Sequence, residues 1–129
     1  MGQQQLLLIL LGVIIVAIAL SVGLTLFEDS AVSANRDAVS NDLVALAARA
    51  QTYYRKPTSF GGGQNSFTGL AIDKLTTKPV NANGTYEITT VASGQVVLTG
   101  TGVEKGDDGN NLIVTVTVFP DSTFMVSNN

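Results

Sequence analysis

Residues 6–27 read LLLILLGVIIVAIALSVGLTLF, and no charged side chain occurs before Glu28. Only Gly12, Ser21, Gly23 and Thr25 interrupt the apolar run. As a helix rising ~1.5 Å per residue, the run spans ~33 Å, close to the hydrocarbon thickness of a bilayer. A buried core helix is disfavoured, because residues 28–129 are too few to wrap it on every side. A secretory signal fits poorly. The run exceeds the usual apolar core of ~7–15 residues, and no Lys or Arg precedes it. No small-x-small cleavage site is followed by a mature start, and the helical pattern runs through Val32, Ser33 and Ala34. Met1-Gly2 offers a myristoylation start, but that motif needs Ser or Thr at the sixth position, which is Leu6.

The pattern changes at Glu28 without a break. From there to Lys56 the chain has neither Gly nor Pro, and apolar residues recur at Val32, Val39, Leu43, Leu46, Ala50 and Tyr53. This spacing marks one face of a helix, with Asp29, Arg36, Asp37, Asn41, Asp42, Arg49 and Gln51 between. Asp42 and Arg49 lie two turns apart and are not expected to pair. Arg55 and Lys56 suit a helix C-terminus, and Pro57 ends the element. Asp29-Ser30 has the chemistry to cap a separate second helix. The uninterrupted pattern instead predicts one helix from about Gln4 to Arg55, loosened near Ser21–Thr25 and ~78 Å long.

Beyond Pro57 the sequence becomes strand-like. Gly61-Gly62-Gly63 reads as a flexible turn off the helix, because no strand precedes it to make a phosphate loop. Strands are expected at 67–72 (short), 85–91, 95–101, 112–119 and 123–126. Alternation is clearest where Leu112, Val114, Val116 and Val118 oppose Ile113, Thr115 and Thr117. Asn83-Gly84, Ser93-Gly94, the stretch 106–110 and Pro120-Asp121 supply turn chemistry. Short strands joined by short polar turns predict an antiparallel meander. The sheet is too small to be stable alone and needs the helix stripe as its cover. The expected fold class is therefore α+β, with three parts: an apolar half-helix (1–27), an amphipathic half-helix (28–56) and an antiparallel β domain (57–129). Val39, Leu43, Leu46, Ala50 and Tyr53 should pack the helix on the sheet.

Composition removes several chemistries. The chain has no Cys, no His and no Trp, and 7 basic against 10 acidic residues give a net charge of −3. Thiolate or imidazole zinc sites, iron–sulfur clusters, disulfides and His-based triads are excluded. The charge balance gives no basic footprint for nucleic acid. Asp107 and Asp108, in GVEKGDDGNN (102–111), are weak calcium candidates, lacking the spacing and closing Glu of a calcium loop. Asn83-Gly84-Thr85 matches a glycosylation sequon but is read first as an Asn-Gly turn. Tyr53-Tyr54 is read as an aromatic pair packed on the sheet. No catalytic residue, metal or cofactor is expected.

The uncharged segment GQQQLLLILLGVIIVAIALSVGL (2–24), the amphipathic continuation and the C-terminal sheet together resemble a type IV pilin or pseudopilin. The likeness spans the whole chain in layout and about 25 residues in detail. It implies a structural subunit of an extracellular pilus-like filament, not an enzyme. The chain would wait in the inner membrane, with a leader cut after Gly2 and a methylated N-terminus at Gln3. Assembly machinery in that membrane would then pass it into a helical polymer of its own copies. The core would be built from Leu7, Leu8, Leu11, Ile14, Ile15, Ile18, Leu20, Val22 and Leu24. The family's usual Glu at the fifth mature position is Leu7 here. Assembly is thus expected to rest on apolar packing, with Gln3, Gln4 and Gln5 as a polar cluster near the N-terminus. The alternative is a single-span membrane protein presenting a β domain outside the cytoplasm without polymerising.

Overall fold

The computed structural model describes residues 2–128. One continuous helix, α1, runs from Gly2 to Arg55. It does not loosen at Ser21–Thr25, where the Thr25 hydroxyl donates to the Ser21 carbonyl one turn back (3.1 Å). A one-turn helix, α2 (Ile72–Leu75), precedes four strands: β1 (Gly84–Val91), β2 (Val96–Lys105), β3 (Asn111–Val118) and β4 (Thr123–Ser127). They form one antiparallel sheet in the order β1-β2-β3-β4, the expected meander. A helix packed on an antiparallel sheet makes the fold α+β.

The sheet offers the helix one face. Val96 and Leu98 on β2, and Leu112, Val114, Val116 and Val118 on β3, point inward and are buried. Between them α1 lays Val39, Leu43, Leu46, Ala47, Ala50 and Tyr53, all buried. Two glycines let the helix come this close. A Cβ on Gly100 would lie 2.7 Å from Val39 Cγ1, and one on Gly102 would lie 2.2 Å from Asn35 Oδ1. A side chain at either position would push α1 off the sheet.

Two segments differ from expectation. Residues 67–72 form no strand. Gly69 takes a left-handed φ of 85°, and the Leu70 amide donates to the Phe67 carbonyl (3.0 Å) in a turn. Phe67 and Leu70 thus plug one end of the core from a loop. Tyr53 and Tyr54 meet this loop: the Tyr53 hydroxyl donates to the Thr68 carbonyl (3.1 Å), and the Tyr54 and Phe67 ring centroids lie 4.8 Å apart. The glycine run is a turn off the helix, hydrogen-bonded back to it. Amides of Gly63, Gln64 and Asn65 donate to the carbonyls of Tyr53, Lys56 and Tyr54, closing the end of α1. Asn83 and Gly84 do not form a left-handed turn, since neither has a positive φ. The Asn81 carboxamide oxygen makes that turn by accepting from the amides of Asn83 (2.8 Å) and Gly84 (3.2 Å).

Residues 2–27 are exposed along their whole length, so a chain of residues 28–129 retains every buried residue. In that chain Leu43→Ala should cost about 2–5 kcal/mol, the range for a fully buried leucine. Urea unfolding measures it; a loss below ~0.5 kcal/mol would exclude Leu43 from the packed core.

Candidate functional site

No part of its own chain covers the N-terminal half of α1. Every residue from Gly2 to Ser30 is exposed, and the large apolar side chains from Leu6 to Phe27 lie open on all sides of the helix. Leu7, Leu8, Leu11, Ile14, Ile15, Ile18, Leu20, Val22 and Leu24 all belong to this surface. A soluble monomer does not leave such an area in water. Among the described residues, α1 is the one helix long and apolar enough to cross a membrane. Small residues stand one turn apart at Ala17/Ser21 and Ala19/Gly23, spacings that let a second helix approach closely. Gly2 and Gln3 occupy its exposed first turn. Met1, part of the leader that the resemblance implies, lies outside the described residues.

The second half of α1 holds the domain by polar contacts on both sides of the apolar stripe. Asn35 is the one buried polar side chain among the described residues. It sits where β2 and β3 lose register, between Thr101 and Lys105. The unequal spacing strands the amides of Val103 and Glu104, and Asn35 Oδ1 accepts from both (3.1 and 3.2 Å). Its Nδ2 donates to the Asn83 carbonyl (2.8 Å). Further along, Arg49 Nη1 donates to the Leu75 carbonyl at the end of α2 (2.7 Å). On the opposite side, Gln51 Nε2 donates to the Phe119 carbonyl (3.0 Å) and Arg55 Nη2 to that of Pro120 (3.1 Å). These two fix the β3–β4 turn. The sequence pattern does not single out Asn35, since an asparagine between apolar positions looks solvent-facing. Only the irregularity of β2 explains it.

Asp42 is the second polar anchor. Its Oδ2 accepts from the Tyr86 hydroxyl, from Asn83 Nδ2 (3.0 Å) and from Asn81 Nδ2 (3.1 Å). Partial burial alone would raise its pKa, but the three donors outweigh burial and hold it below the usual 3.8. Tyr86 is pushed well above its ordinary 10.0, first by burial and then by its hydrogen bond to the Asp42 carboxylate and the charge on it. The sequon asparagine, Asn83, spends its side-chain amide here, so a glycan on that nitrogen would break the contact.

The acidic turn is a hairpin end. Asp107 and Asp108 are both exposed between β2 and β3, and Asp108 Oδ1 accepts from the Asn110 amide (3.0 Å). Among the described residues, no three His, Cys, Asp or Glu side chains group so as to hold a metal ion.

The Asp42–Tyr86 contact makes stability depend on pH at both extremes. Its depressed acid keeps Asp42 stabilising above the unfolded pKa of ~3.9, and that contribution is lost as pH falls through the lower folded value. The raised phenol keeps Tyr86 stabilising below ~10, and that contribution is lost as pH rises beyond it. For residues 28–129, Tyr86→Phe should lower stability by about 1.5–3 kcal/mol at pH 7, the range for a hydrogen bond to a charged group. Asp42→Asn should flatten the acid limb. Urea midpoints from pH 2 to 11 test both, and superimposable profiles for the wild type and the two variants would refute the anchor.

Comparison with known proteins gives no match: no family model, no curated protein and no solved structure is significantly similar to this chain.

Proposed function

We propose that this chain is a structural subunit that polymerises through its N-terminal half-helix into a pilus-like extracellular filament. The observation that carries this reading is the placement of uncovered apolar surface. Leu6–Phe27 is exposed on all sides, and beyond the charged residues Glu28, Asp29, Arg36 and Asp37 a second stretch of the helix presents a nearly uncharged back. Between Ala38 and Ala48 the one charged residue is Asp42, which is turned to Tyr86. The outward side of that stretch carries Asn41, Val44, Ala45 and Ala48, with Val44 55% exposed. A helix back facing water ordinarily carries Lys and Glu. A back of small, uncharged residues suits another helix. In the type IV pilins that the sequence resembles, the same division of one helix serves assembly.

On this reading the subunit first lies in the inner membrane, with Leu6–Phe27 in lipid. Assembly machinery in that membrane then hands it to other copies, which replace the lipid. Cleavage after Gly2, leaving Gln3 as a methylated N-terminus, belongs to the same proposal. The role is architectural, with no catalytic step. A non-polymerising single-span protein is the competing reading. It is favoured by one measure, the match of the ~33 Å apolar run to one bilayer.

Shearing whole cells and sedimenting the supernatant separates the two. A filament subunit appears in the sheared, sedimentable fraction, whereas a single-span protein stays with the membranes. Ile15→Asp, which puts a charge in the middle of the apolar run, should abolish the sheared polymer. Replacing Gln3, Gln4 and Gln5 together with alanine should lower its yield, since the N-terminus would lose polar partners. Normal assembly of the Ile15→Asp chain would show that the apolar half is not the core.

A further inference from the structure

The two ends of the β domain are unlike each other, and each carries a feature that the domain itself does not use. At the far end, the loop after α1 is tightly built. A Cβ on Gly62 would lie 2.1 Å from the Lys56 carbonyl oxygen, and one on Gly63 would lie 1.8 Å from that of Ser66. The amides of Phe60, Gly61 and Gly62 donate to the carbonyls of Pro57, Thr58 and Pro57. A loop held this closely presents one large apolar side chain, Phe60, and leaves it 71% exposed beside Lys56.

At the near end, the β2–β3 hairpin stands off from α1 and leaves an open cleft lined by Phe27, Val32, Val103, Glu28, Glu104 and Lys105. Its walls are part apolar, with Phe27 73% and Val103 55% exposed, and part charged, with Glu28, Glu104 and Lys105 beside them. The register break that Asn35 stabilises is what turns Val103 and Glu104 out of the ladder.

Charge separates along the same axis. The near end carries Glu28, Asp29, Asp37, Glu104, Asp107 and Asp108 against Arg36 and Lys105. The far end carries Arg49, Arg55, Lys56 and Lys74 against Asp73 and Asp121. Arg55–Asp121 (3.6 Å) is the one ion pair among the described residues, so Lys56, Glu28 and Glu104 have no charged partner at that range among them.

We infer that Phe60 of one copy seats in the Phe27–Val103 cleft of the next copy along the filament, with Lys56 facing Glu28 and Glu104. The occupant is a second copy of this chain, because aromatic knob and apolar cleft, base and acid, occur at opposite ends of one domain. Such a contact is heterologous and propagates without closing. The helix gives an independent check on the spacing. A shift of 28 residues, ~42 Å at ~1.5 Å per residue, brings the cleft beside residue 28 of one copy level with residue 56 of the other. The same shift lays the first copy's apolar half along residues 30–55 of its neighbour, whose back is uncharged around Val44, between Asp37 and Arg55. One displacement satisfies both contacts. The inference rests on the filament reading and adds to it which surfaces of the domains meet.

The native chain contains no cysteine, so paired cysteines report the contact without background. The full-length chain carrying Phe60→Cys and Val103→Cys is expressed in cells, and the sheared polymer is oxidised and run without reductant. The expected result is a ladder of crosslinked multimers that neither single variant gives. Sheared polymer that yields only monomers overturns the contact and leaves the filament standing. A dimer from Phe60→Cys alone shows a symmetric contact and also overturns it. No sedimentable wild-type chain overturns the filament reading and the contact with it. Should the double-cysteine chain fail to assemble, the charges decide. Lys56→Glu should lose most of the sheared polymer, and adding Glu104→Lys should restore it. Failure of that restoration overturns the contact.

Discussion

A four-stranded meander with a wall of valines and leucines on one face must have that face covered, and this chain has one means of covering it. Residues 35–53 of α1 supply the cover. Everything else in the domain is arranged so that the helix can come near. The β2 strand gives up side chains at Gly100 and Gly102, where the helix passes closest. Polar residues beside the apolar stripe then hold the loops at each margin: Asn35 and Asp42 on one side, Gln51 and Arg55 on the other. Helix and sheet are each marginal alone and stable together.

Because α1 has no break, this docking has a consequence at a distance. The apolar half and the domain share one rod, so whatever fixes the angle of the first half fixes the position of the second. Only bending of the helix relaxes that linkage, and α1 contains neither proline nor an interruption in its helical assignment. In the proposed filament, a contact at the top of one domain would thereby be tied geometrically to contacts between apolar halves far below it.

The periodicity of the chain made the architecture legible. The 7-4-3-4-3 spacing from Val32 to Tyr53 and the alternation around Val114 each reflect which side of an element faces the core, and the charge-free run marks a segment apolar on every side. Those patterns exist because burial is the dominant stabilising effect. What escaped them depends on single contacts. Asn35 is buried because two particular amides lose their strand partners, an event with no periodic trace. Phe67 and Leu70 are spaced like neither strand nor long helix, since they plug the core from a loop. The amides of Gly61–Gly63 are held by carbonyls of Thr58, Pro57 and Tyr53, partners that composition does not reveal. Composition also misplaced Asn83, whose side chain serves Asp42 and leaves the turn to Asn81. The candidate surface was therefore readable as apolar, while the features that make one end of the domain differ from the other were not.

That difference matters because the apolar half cannot select its own cover. Sixteen large apolar side chains between Leu6 and Phe27 are exposed. At about 1.5–3 kcal/mol each, leaving them in water would cost roughly 24–48 kcal/mol, more than the ~5–15 kcal/mol that holds a domain folded. The segment must always be covered. Lipid tails and the helices of other copies are equally apolar, however, so the hydrophobic effect scarcely distinguishes them. On the filament reading, preference for copies over lipid has to arise from close packing at small residues such as Ala17, Ser21 and Gly23, and from contacts made outside the membrane. On that same reading, the apolar half supplies the need for a partner, and the shape and charge of the domain decide which partner and in what register.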